Sequence, residues 1–174
     1  LEIDDEGVVP ESLEAACAAG PVAAIYLTPT IHNPTATTLP LRRRQEVARI
    51  VDHFNIPLIE DDAYGPLVGG NPPPIFSLTE SDSYYVCSVS KAMAPGLRIG
   101  SLVAPARMTQ HLSNAIHTTT WSAPPINAEI VSSWIENGVA ETIVESHRAE
   151  SRRRLKLAKQ ILADYDTVIP EVGY

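Results

Sequence analysis

Three short apolar runs constrain this chain more than any other feature, because each one ends in a polar loop. Val22-Ala23-Ala24-Ile25-Tyr26-Leu27 runs into a proline-rich loop, Thr28 to Thr35. Ile56-Pro57-Leu58-Ile59 runs into Glu60-Asp61-Asp62-Ala63-Tyr64-Gly65, and Tyr84-Tyr85-Val86-Cys87 into Ser88-Val89-Ser90-Lys91. Continuous apolar runs of strand length are the mark of strands buried on both faces, and the loops at their ends are where such folds carry function. A fourth run, Leu97 to Val103, follows a turn at Pro95-Gly96.

Helical patterns lie around these runs. Pro10 to Ala16 reads as a short helix stopped by Gly20-Pro21. Leu41 to Asn55 is amphipathic, with Val47, Ile50, Val51 and Phe54 at i, i+3, i+4 and i+7. Arg42, Arg43, Arg44, Glu46 and Asp52 are its expected wet residues, and the arginine triplet reads as the solvated start of a surface helix. Leu67 to Glu80 reads as loop, and Pro105 to about Thr118 as a weakly patterned helix. Ile126, Ile130 and Trp134 form one apolar stripe, ended by Gly138, and Glu141 to Tyr165 is a long helix with a solvated basic band. Strand, helix and three further strands followed by helices give an α/β fold. If the first three strands are parallel neighbours, their C-terminal ends lie together, where open α/β sheets bind ligands. That geometry gathers Asn33, Asp61, Tyr64, Ser88 and Lys91 into one crevice.

Composition narrows the function classes. A net charge of −8 over 174 residues argues against nucleic acid as the main partner of this segment. Cys17 and Cys87 make no disulfide framework and suit a reducing, cytoplasmic compartment. No apolar run approaches the roughly 20 residues that cross a bilayer, and no metal-ligand set stands out. The chain begins at Leu1 and stops at Tyr174 without a natural end, which reads as a piece of a longer polypeptide.

A nucleophilic lysine next to an electron-sink cofactor needs particular partners. Pyridoxal 5'-phosphate joins such a lysine as a Schiff base. It wants a carboxylate against its pyridine nitrogen, donors at its phenolic oxygen, and hydroxyls with a cation around its phosphate. Lys91, with Asp61 or Asp62, Tyr64, Asn33, Ser88, Ser90 and Arg98, supplies that set. Each residue alone has a plainer reading. Lys91 could be a solvated loop lysine, either aspartate a loop cap, Asn33-Pro34 an ordinary turn, Tyr64 a satisfied aromatic, the serines strand-end caps and Arg98 a surface ion-pair residue. The right types in the right order at strand ends favour the joint reading.

Asn33-Pro34-Thr35, Asp61-Asp62-Ala63-Tyr64 and Ser88-Val89-Ser90-Lys91 with Arg98 resemble the fold-type I, pyridoxal-phosphate-dependent class I/II aminotransferases. The seven-residue step from Lys91 to Arg98 and the wording Ala94-Pro95-Gly96-Leu97-Arg98 resemble the branch of aminoadipate, kynurenine and multi-substrate aminotransferases. The aminotransferase-like domain of MocR regulators, fused there to a GntR-type winged helix, belongs to the same branch. The resemblance covers about Pro21 to Tyr174.

This resemblance implies a three-layer α-β-α sandwich, part of the large domain of a pyridoxal-phosphate-dependent transferase. Residues 1–174 would be the C-terminal portion of that domain, with the small domain starting near 166–174. Lys91 would be the catalytic Schiff-base lysine and the base that moves the substrate proton. The family pattern selects Asp61 over Asp62 for the pyridine nitrogen. Tyr64 and Asn33 would meet the phenolic oxygen, and Ser88, Ser90 and Arg98 the phosphate. Ala36 stands where the family often has glycine, which constrains the local backbone and removes no functional group. The implied activity is transfer of an amino group between an amino acid and a 2-oxo acid, in a homodimer, with this segment inactive alone. The alternative is a MocR-type regulator that senses a ligand through the same site, with nucleic acid a partner only if a winged helix lies upstream.

Overall fold

Strand order in the main sheet follows the order of the chain, and that single fact places the site. The computed structural model describes residues 1–165. An antiparallel pair, β1 (Ile3–Asp4) and β2 (Gly7–Val8), leads into helix α1 (Pro10–Ala19). Strand β3 (Ile25–Leu27), helix α2 (Leu41–Phe54), β4 (Leu58–Asp61), β5 (Ser83–Ser88), a single turn α3 (Val89–Ala92) and β6 (Gly100–Val103) follow. The helices α4 (Thr109–Thr119), α5 (Pro125–Glu136) and α6 (Val139–Ile161) complete the described residues. The sheet order is β3-β4-β5-β6. Strands β3, β4 and β5 are parallel, whereas β6 turns back antiparallel along β5, pairing Gly100 with Ser88. The fold is therefore α/β with a mixed sheet, and the first three apolar runs are parallel neighbours.

The core forms where α1 and α2 lie on one face of the sheet. Leu13 and Cys17 of α1 and Val47, Ala48, Ile50 and Val51 of α2 pack with Ile25, Ile56, Leu58 and Ile75. Val47, Val51 and Leu58 are wholly buried. A buried aliphatic side chain of this size stabilises by about 1.5–3 kcal/mol, so this layer fixes the register of β3 and β4. Asn55 ends α2 in the left-handed conformation (φ 49°), its N–H donating back to the Val51 and Asp52 carbonyls.

The arginine triplet at the start of α2 departs from expectation. Arg42 is exposed, but Arg43 and Arg44 are buried, Arg44 at 1% exposure. Arg44 lies 3.8 Å from Glu60 of β4, itself fully buried. Its Nε donates to the Leu39 carbonyl (2.9 Å), and one terminal nitrogen to the Pro29 carbonyl (3.2 Å) and the Thr30 hydroxyl (3.3 Å). A charged side chain is tolerated inside only with such partners, and the flanking acids Glu46 and Asp52 concealed this role in the sequence.

Smaller differences are local. A 3-10 turn at Gly65–Leu67 leads into the stretch Leu67 to Glu80, and a second, Ile75–Ser77, lies within it and seats Ile75 in the core. A 3-10 turn, Ala106–Met108, precedes α4, so that helix starts at Thr109. On α5 the expected stripe is only partly covered: Ile126 is exposed and Ile130 and Trp134 are half-buried, while the buried residue is Val131, beside the stripe. Helix α6 begins two residues before Glu141 and ends at Ile161. Among the described residues no helix is long and apolar enough to cross a membrane, and no cluster of three metal-ligating side chains occurs. The expected start of a small domain near 166–174 lies outside the described residues.

Candidate active site

The C-terminal ends of β4 and β5 sit side by side. Asp61 pairs with Val86 in register, and the Asp62 N–H extends the pairing to the Val86 carbonyl (2.8 Å). Strand alternation sends consecutive side chains to opposite faces, and this separates the two aspartates. Asp62 is buried, accepts the Tyr85 hydroxyl, and comes so close to Gly65 that a Cβ there would lie 2.1 Å from its oxygen. A side chain at position 65 would therefore force the Asp62 carboxylate out of place. Burial, with the hydrogen bond to Asp62 behind it, drives the Tyr85 phenol far above its ordinary range.

Asp61 is more open. Its Oδ1 accepts the Ala63 N–H (3.1 Å) and its Oδ2 accepts the Tyr26 hydroxyl (2.7 Å). That hydrogen bond, then burial, then the negative charge push the Tyr26 phenol up to about 12.

The lysine turn is held at both ends. Ser88 ends β5 and caps α3, its Oγ accepting the Ser90 N–H (3.2 Å). The Val89 N–H and the Ser88 hydroxyl both donate to the Ile99 carbonyl, tying the turn to the start of β6. Lys91 is exposed, and its Nζ stands 5.5 Å from the centre of the Tyr64 ring, a cation–π contact. Lys91 and Tyr64, which the sequence places 27 positions apart, are thus brought together directly.

Asn33 and Arg98 are each presented on an exposed turn. Asn33 lies in the loop between β3 and α2, whose base is closed by the Leu39 N–H on the Pro29 carbonyl (2.8 Å). Ala36 in this loop is left-handed (φ 58°), the conformation that favours glycine. Arg98 is left-handed (φ 53°) at the end of the Pro95–Leu97 turn. Among the described residues the hydrogen-bond partners of Asp61 are Tyr26 and Ala63, so neither Asn33 nor Arg98 is joined to it.

A cavity of about 360 Å³ opens beside Lys91, lined by Tyr64, Leu67 and Lys91 and, from α6, by His147, Glu150, Ser151 and Arg154. Arg148 fixes α6 there by donating to the Pro66 (2.7 Å) and Leu67 (3.2 Å) carbonyls. Arg153 and Arg154 hold the Glu150 carboxyl down to about 2. One residue of the basic band of α6, Arg154, therefore lines the lysine's cavity while its side chain stays exposed. Sequence reasoning missed these residues, and also Tyr26. Their signals were present but faint: an arginine turn with glutamate at i−3 and i−4, and a tyrosine at a strand's end.

Together the site offers an accessible amine against a phenol, a carboxylate on the neighbouring strand end, hydroxyls at the lysine turn and a guanidinium beyond it. Such a set suits carbonyl–amine exchange with proton movement nearby.

The family model for aminotransferase class I and II matches residues 4–170. An uncharacterized HTH-type transcriptional regulator, YdeF, of Bacillus subtilis is 32% identical over 99% of this chain and 37% of its own length. The 2-aminoadipate transaminase of Thermus thermophilus is 30% identical over 86% of this chain and 38% of its own. The crystal structure of LysN, an alpha-aminoadipate aminotransferase from Thermus thermophilus, superposes with a TM-score of 0.90 at 25% identity, covering 99% of this chain and 47% of that one. The chain thus spans well under two thirds of the length of these relatives.

Proposed function

The chain belongs to the class I and II aminotransferase family, and from that premise we propose that it supplies the lysine-bearing part of a pyridoxal 5'-phosphate site that transfers amino groups between amino acids and 2-oxo acids. One observation carries the reading: Lys91 stands over Tyr64 at the end of the sheet where the parallel strands bring Asp61 alongside. The donor set fits the cofactor, group for group. Lys91 offers an amine to its aldehyde and Asp61 a carboxylate to its ring nitrogen. Tyr64 and Asn33 offer donors to its phenolic oxygen, and Ser88, Ser90 and Arg98 offer donors to its phosphate. Residues 1–174 are then the C-terminal portion of the large domain.

When bound, the cofactor supplies an electron sink for the substrate's Cα–H bond. The chain's own groups do the rest. Lys91 would hold the cofactor through its aldehyde carbon, and, once the substrate's amino group has taken its place there, its Nζ would carry the Cα proton to that same carbon. Asp61 holds a proton on the ring nitrogen, and Arg98 balances the phosphate charge. The functional unit is a cytoplasmic homodimer, with amino acids and 2-oxo acids as its small-molecule partners.

The test uses the full-length protein with added pyridoxal 5'-phosphate. A visible absorbance band that needs Lys91, and amino-group transfer to a 2-oxo acid seen by product analysis, are the expected results. A wild-type protein without the band refutes the reading.

A second reading rests on the regulator relatives. YdeF and YdfD of Bacillus subtilis, both named as HTH-type transcriptional regulators, align over 99% of this chain. In that case the same site senses an amino acid and controls an attached winged helix. Cofactor-dependent DNA binding by the full-length protein, without turnover of amino acids, would favour it; turnover without DNA binding would exclude it.

A further inference from the structure

We infer that Tyr26 is a positioning residue for the cofactor's ring nitrogen, because its hydroxyl holds the Asp61 carboxylate in a fixed orientation. The inference rests on the pyridoxal reading above and adds a residue to it.

Sheet register accounts for the contact. Tyr26 is directly opposite Ile59 on the neighbouring parallel strand. Ile59 and Asp61 are two residues apart and share a face, so Asp61 is the diagonal neighbour of Tyr26. Two residues along and one strand across, such a pair is about 8 Å apart at the backbone, within reach of a phenol. The observed hydrogen bond closes that gap to 2.7 Å.

The carboxylate is then gripped at both oxygens: Tyr26 on Oδ2 and the Ala63 N–H on Oδ1. Rotation about its Cβ–Cγ bond breaks both. Each oxygen keeps acceptor capacity for a further donor, since a carboxylate has about four lone-pair sites. A protonated ring nitrogen can therefore be received without displacing either grip. Tyr26 keeps its proton at neutral pH, its phenol being pushed up to about 12, so the donor is permanent.

Burial does not explain this tyrosine. Tyr26 is 58% exposed, whereas in the analogous pair Asp62 is buried and Tyr85 half-buried. The two neighbouring carboxylates thus each hold a tyrosine, one pair partly covered by the fold and one at the open strand end.

The plainer role would be a tether between β3 and β4. Tyr26→Phe in the full-length protein separates the two, read as the Kd for pyridoxal 5'-phosphate and for its deaza analogue, in which the ring nitrogen is replaced by C–H. A positioning role predicts a Kd raised about three- to tenfold for the natural cofactor, the range of a modest hydrogen bond, and an unchanged Kd for the analogue. In an Asp61→Asn background the same substitution should have no further effect. Equal shifts for both compounds, or none for the cofactor, overturn the inference and leave the pyridoxal reading standing. A wild-type protein that forms no Lys91-dependent band overturns both.

Discussion

Lys91 and Arg98 have separable jobs, and single substitutions should separate them. Lys91→Ala is expected to abolish the lysine-dependent visible band and all transamination, while the cofactor still binds through its phosphate. Full turnover in that variant would remove Lys91 from the mechanism. Arg98→Ala should raise the cofactor Kd by about tenfold or more, the weight of a charge-assisted hydrogen bond, with the band still formed at saturating cofactor. An unchanged Kd would make Arg98 structural. At this scale the sequence was informative where chemistry follows residue type and order, as for Lys91 and Tyr64, which meet at 5.5 Å. It was silent on Tyr26, because a tyrosine in an apolar run reads as strand filling until the register sets it diagonal to Asp61.

Helix α2 works as a clamp as well as a wall. Arg44 reaches the carbonyls of Pro29 and Leu39 and so closes both ends of the loop that carries Asn33, while Glu60 lies beneath it. Burial pushes the Glu60 carboxyl upward, and the Phe76 N–H followed by Arg44 pulls it back. Arg44→Met leaves that buried carboxylate uncompensated and should cost about 3–5 kcal/mol in urea unfolding. The double variant Arg44→Met, Glu60→Gln should recover part of the loss. Equal stability of Arg44→Met and wild type would show the pair to be dispensable.

The C-terminal end of α2 carries a second device. The Oδ1 of Asp52 accepts the Thr79 hydroxyl and the N–H groups of Glu80 and Ser81 (3.0 Å each). Burial raises its pKa, yet these hydrogen bonds outweigh it and leave the carboxyl below its ordinary 3.8. A depressed carboxyl stabilises the fold above its unfolded pKa, and that stability is lost as pH falls through the lower folded value. Asp52→Ala should therefore cost about 1–3 kcal/mol near neutrality, and its disadvantage should shrink below pH 3.8. A disadvantage constant down through that range would contradict the assignment. Neither device was legible in the sequence. The periodicity of Val47, Ile50, Val51 and Phe54 located the helix correctly, but amphipathic patterning assigns every arginine and aspartate to water. Partners supplied by distant loops are what reverse that assignment.

For the molecule as a whole, the α/β class followed from run length and turn chemistry, and the common end of the parallel strands from the same pattern. The antiparallel return of β6 did not, because an apolar run carries no sign of its direction. Sequential strand order has a consequence for synthesis. Strands β4, β5 and β6 each pair with the strand made immediately before them. A chain leaving the ribosome can add β4 to β3 and β5 to β4 as each emerges. The lysine turn, pinned to Ile99 and closed by Gly100 against Ser88, takes its final form only when β6 is out. Lys91 is thus translated after Asp61 and Tyr64 but before β6, and a nascent chain paused ahead of Gly100 would carry the amine without the strand that pins its turn.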